Sequence, residues 1–486
     1  MQFSTACVVA FASLFSGAAA AKSYEGHSVL RINPSTQEAV DIIKNELPTA
    51  MRVDWWREPS YPGNYIDAMV GGSDIETAKN MLAAAGLDFE VFIEDVQKQI
   101  DSTHTLNSRE HFTASNDVAF DYSKYHTLDE ISDWMKTLPD SYPDLVELVD
   151  VGTSFEGRTI TAVKFTGKSN SFARLGRNST DAGAASSKPG LWLDGGIHAR
   201  EWISPAVNVY LLGHLLEGYG SDAEITELLD AVEFTILPVF NVDGYAYTTA
   251  EDGDRMWRKT RSTYSSKLCV GVDPNRNWDW HWGEAGTSKN PCADDYQGPN
   301  AFSEIEVKSV AAYIKAQENL NGYVNFHSYS QLWMSPWGYT SDLPPTADYD
   351  AQQQVSKDAT EALSKVHGTK FDYGPISSTI YPASGSSADW TYGECGILYS
   401  YGVELRDTGK NGFLLPEDQI LDSGAETLEA VKVLARAVAD SKKADFVRIM
   451  EDGDCDDADL CVFNDAGDSE CCTSGEFCIQ GVGCRC

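Results

Sequence analysis

Positive charge is scarce in this chain: 37 Lys and Arg stand against 73 Asp and Glu, a formal charge of −36 at pH 7 over 486 residues. So acidic a surface repels phosphate backbones and excludes nucleic acid as a partner. Its simplest use is solubility outside the cell. Long apolar runs are scarce too. Beyond the N-terminal segment nothing approaches the roughly twenty uninterrupted apolar residues that cross a bilayer, so no membrane association is expected. No internal repeat is visible. Cysteine is sparse through the body of the chain, where only Cys269, Cys292 and Cys395 occur. Cys7 lies in the N-terminal segment, and the other seven of the 11 crowd beyond residue 454.

The opening "MQFSTACVVAFASLFSGAAAAKSYEG" reads as a secretory leader. Its apolar stretch is too short to span a bilayer, and small residues follow in an A-x-A pattern that predicts cleavage near Ala20 or Ala21. The absence of Lys or Arg ahead of the apolar stretch is a small departure. A secreted, extracellular protein follows, and the cysteine content fits that oxidising compartment. Asn178 opens the single glycosylation sequon, "NST". Cys269 and Cys292 bracket a polar, Gly-rich stretch, although spacing alone fixes no connectivity.

Residues 1–21 are therefore assigned to the signal peptide and 22–109 to a small α+β unit. In the latter, "HSVLRI", "YIDAMVG" and "FEVFIEDV" alternate like strands, and two helical patterns lie between them. That order suits a small sheet with helices on one face. A polar linker follows. From 110 to 445 strand-like runs such as "TITAVKF", "LWLDGG", "FTILPVFN", "YVNFHS" and "ILYSYGVEL" alternate with helical ones, which predicts an α/β domain with a largely buried sheet. Residues 168–189 read as a surface insertion. The acidic, Cys-rich extension over 446–486 is too polar for a core of its own and needs disulfides to hold it.

Zinc takes imidazole and carboxylate ligands, and a catalytic site uses three protein ligands. His-x-x-Glu is a weak signal: roughly one is expected by accident among nine His, and three occur, at His198/Glu201, His214/Glu217 and His281/Glu284. Context separates them. His214 lies within a helical pattern, and His281 sits in the Trp-rich "WDWHWGEAG", where packing is the expected occupation. His198 follows the strand "LWLDGG", and ligands bind outside the carboxyl ends of strands in open α/β sheets. His327 closes "YVNFH" and Glu404 ends "ILYSYGVEL". A carboxylate in a buried strand is costly without a cation. His198, Glu201 and His327 are thus the candidate ligands of one zinc ion, with Glu404 free as general base. Asp273 is available to orient a ligand imidazole. "RMWRKTR" and "PNRNW" bring Arg and Asn to the same face, one Arg for an oxyanion and another with an Asn for a substrate carboxylate.

These residues resemble the zinc metallocarboxypeptidases of the pancreatic carboxypeptidase A type, in their procarboxypeptidase form. The likeness rests on "GIHAREW", "FNVDGY", "RMWRKTRS", "LCVGVDPNRNWD", "HSYSQLW", "TIYPASGSSADW" and "VELRDTGKNGFLLP", in that order. It implies a mixed eight-stranded sheet flanked by helices, preceded by an activation propeptide. It also implies zinc on His198, Glu201 and His327, Glu404 as base and Arg258 at the oxyanion. Asn275, Arg276 and Tyr381 then hold the terminal carboxylate, Arg200, Tyr329 and Phe413 form outer substrate positions, and Cys269 pairs with Cys292.

The specificity pocket implied by the same resemblance comprises Met334, Gly338, Ile376, Ile380, Ala388 and Gly402. None is charged, so a basic or acidic terminal side chain would be buried unpaired, whereas aromatic and large aliphatic ones fit. Asp389 beside the pocket is expected to point away. Partners are peptide or protein C-termini and an activating trypsin-like protease, with cleavage after Arg109 and Lys98 or Lys124 as alternatives. A monomer is expected. Cys395 has no counterpart in the resemblance and is either a buried thiol or the partner of one tail cysteine. Two other functions stay open on the sequence: a non-catalytic peptide-binding protein on this scaffold, and an amidohydrolase of non-peptide amides. Filled catalytic positions argue against the first, and the Asn275/Arg276 pair against the second.

Overall fold

The computed structural model describes residues 21–103, 120–168, 188–263 and 268–441, with the backbone of four short strands between 459 and 485. The leader up to residue 20, Arg109, Asn178 and the side chains of the tail lie outside the described residues. Among the described residues no helix is long and apolar enough to cross a membrane.

The N-terminal unit runs β1 (Ser28–Ile32), α1 (Gln37–Ala50), β2 (Val53–Arg57), β3 (Ile66–Val70), α2 (Ile75–Ala84), β4 (Phe89–Ile93) and α3 (Val96–Thr103). Its strands form an antiparallel sheet in the order β2-β3-β1-β4. Alternation of side chains along each strand splits the unit's apolar residues between two faces. Leu30, Ile32, Ile66, Ala68 and Val70 pack with Ile43, Leu47 and Leu82 of the two longer helices. Val29, Trp56, Met69 and Ile93 instead join Met256, Tyr329, Phe413 and Leu414 of the larger domain. One face thus makes the unit's own core and the other seals a neighbour. Strand β2 was not anticipated from "VDWWR": it is short, charged near both ends and only partly buried, so it carries no clean alternation.

The larger domain runs α4 (Leu128–Ser141), β5 (Val146–Thr153), β6 (Thr159–Phe165), β7 (Gly190–Gly195), α5 (Ile203–Gly218), α6 (Ala223–Ala231), β8 (Glu233–Leu237) and α7 (Val242–Thr249). It continues with α8 (Ile305–Lys315), β9 (Leu320–Ser328), β10 (Leu332–Ser335), α9 (Thr346–His367), β11 (Asp372–Pro375), α10 (Ile376–Thr379), α11 (Ser387–Gly393), β12 (Tyr399–Leu405) and α12 (Ile420–Asp440). The expected eight-stranded mixed sheet is present, in the order β11-β10-β12-β9-β7-β8-β6-β5. Its centre, β12-β9-β7-β8, is parallel, and β7 is buried along its whole length. Such strands need cover on both faces, which explains their near-continuous apolar sequence. Helix α12 lies along α9 and also meets α5 and α6. Helix α4 starts at a capping box, Thr127 and Glu130 each accepting the other's backbone N–H. Cys269 and Cys292 are joined in a disulfide. Cys395 is partly buried just after α11. In the tail, β13 (Asp459–Val462) pairs with β14 (Ser469–Cys472), and β15 (Phe477–Ile479) with β16 (Gly483–Arg485).

Candidate active site

The site is built where parallel strands end together. In the β12–β9 pairing Glu404 stands opposite His327, and in the β7–β9 pairing Gly195 stands opposite Phe326. The chain leaving β7 therefore emerges beside His327. It turns at once under α5, and only glycine permits that turn. A Cβ on Gly195 would lie 2.6 Å from Asn208 Nδ2, and Gly196 holds φ +65°. The turn delivers His198 and Glu201 to the same point.

His198 Nδ1 is 2.9 Å from Glu201 Oε1 and 3.1 Å from His327 Nδ1, which is 3.2 Å from Glu201 Oε2. Two imidazole nitrogens and a carboxylate thus converge, all three residues buried, with their ligand atoms within 4.8 Å of one another. Two Nδ1 lone pairs facing each other repel unless a proton or a cation lies between them. The donor set, two His and one Glu, is one of those that bind catalytic zinc. The residues fit the ion. The outer nitrogen of His198 is spoken for: Nε2 lies 3.1 Å from Asp273 Oδ1, while Asp273 Oδ2 accepts from Arg258 Nη2 at 2.7 Å. One buried carboxylate so orients both an imidazole and a guanidinium.

Charges here depend on one another. Burial works against the Glu201 carboxylate, but His198 and His327 outweigh it and hold Glu201 far below the usual carboxylate range. Burial likewise opposes the Asp273 charge and is overcome by Arg258, His198 and Arg276. At Glu404 the help from His198, Arg258 and Arg57 is too small to win. Burial and then the Glu201 charge push it up to about 8, and its buried Oε2 finds no hydrogen-bond partner among the described residues.

Asn275 and Arg276 sit on a short 3-10 turn, Pro274–Arg276, capped by the Asp273 side chain. Arg276 spends Nε on the Gly286 carbonyl and Nη1 on the Asn275 carbonyl. Its buried Nη2 has no hydrogen-bond partner among the described residues. Tyr381 lies near it, the guanidinium 5.6 Å from the ring centre. These groups line one cleft together with His198, Glu201, His327 and Glu404. Met334, Ile376, Ile380 and Ala388 form an apolar cluster at its wall, and Gly402 also lines it. Gly338 does not reach the cleft surface as expected. A Cβ there would meet the Ala383 carbonyl at 2.8 Å and Ile376 at 3.2 Å, so it lies behind the wall. Asp389 is absent from the lining: its carboxylate accepts the backbone N–H of Gly338 and Tyr339. The other two His-x-x-Glu pairs stay outside, His214 stacked on Tyr210 and His281 on Tyr339.

The N-terminal unit closes this cleft, a role that falls to residues the sequence did not single out. Asp54 Oδ1 accepts from Arg200 Nη1 at 2.9 Å, and the Trp55 carbonyl accepts from Nη2 at 3.2 Å. Arg57 donates to Ser330 Oγ at 2.9 Å, and Asp67 accepts from the Tyr329 hydroxyl at 2.6 Å. Trp56 packs against Phe413 with ring centres 5.1 Å apart. Arg200, Tyr329 and Phe413 are each occupied by this unit, and Trp56 and Arg57 line the cleft itself. The run "VDWWREP" carried the signal: two tryptophans and paired charges on a partly exposed strand have no use in so small a core.

Comparison with known proteins covers both parts of the chain. The family model described as zinc carboxypeptidase matches residues 131–430, and the one described as carboxypeptidase activation peptide matches residues 30–103. The chain is 41% identical over 418 residues to carboxypeptidase A1 of Sus scrofa, covering 86% of this chain and 95% of the relative. It is 46% identical over 323 residues to carboxypeptidase B of Astacus astacus, covering 66% of this chain and 99% of the relative. Among solved structures, thrombin activatable fibrinolysis inhibitor superposes with a TM-score of 0.76 at 34% identity, covering 86% of this chain and 100% of that one. Likeness runs through the enzyme body and through the unit that masks it, so the chain belongs to the zinc carboxypeptidase family and carries a carboxypeptidase activation peptide ahead of the enzyme.

Proposed function

We propose that this zinc carboxypeptidase, once released from its activation peptide, removes aromatic and large aliphatic residues from the C-termini of peptides and proteins. The observation that carries the reading is a pair of buried groups in one cleft that find no hydrogen-bond partner among the described residues: the Arg276 Nη2 donor and the Glu404 Oε2 oxygen. A substrate's terminal carboxylate answers the first and an attacking water the second.

His198, Glu201 and His327 would hold the zinc, which supplies Lewis acidity toward the scissile carbonyl and makes water a nucleophile near neutral pH. Arg276, Asn275 and Tyr381 fix the terminal carboxylate and so set which bond is cut. Glu404 takes the proton of the attacking water and passes it to the leaving amine. Arg258, held in place by Asp273, stabilises the oxyanion. Arg200, Tyr329 and Phe413 receive the residues upstream of the cut. The preference for apolar ends is supported by the uncharged wall and by Asp389, whose carboxylate is turned to backbone N–H groups.

The reading extends to the whole chain as a secreted monomer. Residues 1–21 are the leader, 22–109 the activation peptide, 110–445 the enzyme and 446–486 a Cys-rich extension. A trypsin-like protease activates it after Arg109, and Asn178 carries a glycan. The test is release of C-terminal residues from blocked peptides ending in Phe, Leu, Lys or Glu, before and after limited trypsin treatment, with and without a chelator. Chelator-sensitive release of Phe and Leu that appears only after trypsin is expected. Equal turnover of the Lys-ended peptide would refute the pocket assignment.

A further inference from the structure

One row of residues runs across the sheet beneath the cleft. Asp194 of β7 stands opposite Asn325 of β9, Asn325 opposite Gly402 of β12, and Gly402 opposite Met334 of β10. Asn325 and Gly402 come two positions before His327 and Glu404 on the same strands. Side chains two apart share a face, so this row lies about 6.6 Å behind the zinc ligand and the base on the same side of the sheet. Asn325, Gly402 and Met334 all line the cleft. Met334 is apolar, and Gly402 leaves open space where a Cβ would be. Asn325 is thus the polar side chain that this row presents to the cleft.

Its amide is held in one orientation. Asp194 is fully buried, and its Oδ2 accepts from Trp192 Nε1 at 2.6 Å while its Oδ1 accepts from Asn325 Nδ2. A carboxylate only accepts, so it fixes the NH2 end of Asn325 toward β7 and turns the carbonyl end away. That oxygen, Oδ1, is 3.4 Å from Ser387 Oγ, a long and weak contact, and Ser387 lines the cleft as well. The Ser387 backbone N–H donates to Asn275 Oδ1 at 2.9 Å, which joins this floor to the group that holds the substrate carboxylate. An amide oxygen has two lone pairs. A buried acceptor with capacity to spare therefore sits among the apolar Met334, Ile376, Ile380 and Ala388.

We propose that Asn325 determines specificity within the aromatic C-termini: its amide oxygen accepts the phenol hydrogen of a terminal tyrosine and so favours tyrosine over phenylalanine. The inference rests on the assignment of Met334, Ile376, Ile380, Ala388 and Gly402 as the pocket of the terminal side chain. A phenol brought to a wholly apolar floor would lose its water without replacement, whereas here it finds a fixed acceptor. The missing side chain at Gly402 leaves room for the ring to reach that far. Asn325 carries no charge, so the exclusion of basic and acidic ends is unaffected.

The experiment measures kcat/KM of the trypsin-activated protein on N-blocked dipeptides ending in Tyr, Phe, 4-methylphenylalanine or Leu, for wild type, N325L and N325S. 4-Methylphenylalanine has the length of tyrosine without its donor, so it separates hydrogen bonding from depth. In wild type the Tyr end is expected to be released about tenfold better than the 4-methylphenylalanine end, and severalfold better than Phe. N325L, similar in shape but without polar atoms, should bring the ratio of Tyr to 4-methylphenylalanine down to about one or below. N325S, whose side chain is shorter, should also lower it, and it carries the test if N325L does not fold. A ratio between two substrates of one variant cancels any general loss of zinc or activity. A wild-type ratio near one, or a ratio that neither substitution moves, would overturn the proposal while release of Phe and Leu leaves the pocket assignment standing. A protein that releases none of the four ends would overturn both.

Discussion

Glu404 and His327 face each other across the parallel pairing of β12 and β9, so one backbone register sets the general base beside a zinc ligand. Replacing the base should therefore spare the metal. Glu404→Gln is expected to lower kcat by about 10²–10⁴-fold while zinc content stays at one per chain. Turnover measured alongside metal analysis checks this, and loss of zinc in the variant would show that Glu404 is a ligand.

Asp273 acts on the metal through His198. Asp273→Asn keeps the shape but weakens the hold on the imidazole Nε2 and on Arg258. Zinc affinity should fall about 10–100-fold, read by chelator competition. Turnover of the zinc-saturated variant should also fall, because Arg258 loses the partner at 2.7 Å that aims it.

The pocket offers a size test. A Cβ built on Gly402 meets nothing within 4 Å, so the wall there is open. Gly402→Thr should fold normally and cut into the space available to the largest side chains. Release of C-terminal Trp is expected to fall about tenfold relative to Leu, measured as the ratio of kcat/KM values. An unchanged ratio would mean that the terminal side chain does not reach Gly402.

Docking of the activation peptide should weaken as pH rises. Asp54 is pushed up to about 6 by burial and by Asp294, despite Arg200, and Glu58 to about 7 by burial and by Asp295, despite Arg276 and Arg258. Both carboxyls bind protons more tightly docked than free. Their contribution is complete below their ordinary values of 3.8 and 4.5 and is lost as pH climbs through about 6 to 7. After trypsin cleavage the peptide should co-elute with the enzyme at pH 5 and separate more readily at pH 8. Asp294→Asn with Asp295→Asn should lessen that dependence without abolishing it, because burial is the larger cause, and size-exclusion chromatography across the range decides it.

The sequence by itself determined the alternation of strands and helices and the strand ends bearing His198, His327 and Glu404. Each follows from local order: apolar runs bury, and a charge closing such a run needs a partner. Only tertiary structure decided that Gly338 lies behind the wall, that Asp389 turns to backbone N–H groups, and that β2 plugs the cleft with Asp54, Trp56 and Arg57. The same holds for Arg255, whose partners are backbone carbonyls. A carbonyl belongs to every residue and leaves no mark in the sequence, so which two a buried guanidinium grips depends on where distant loops are brought together.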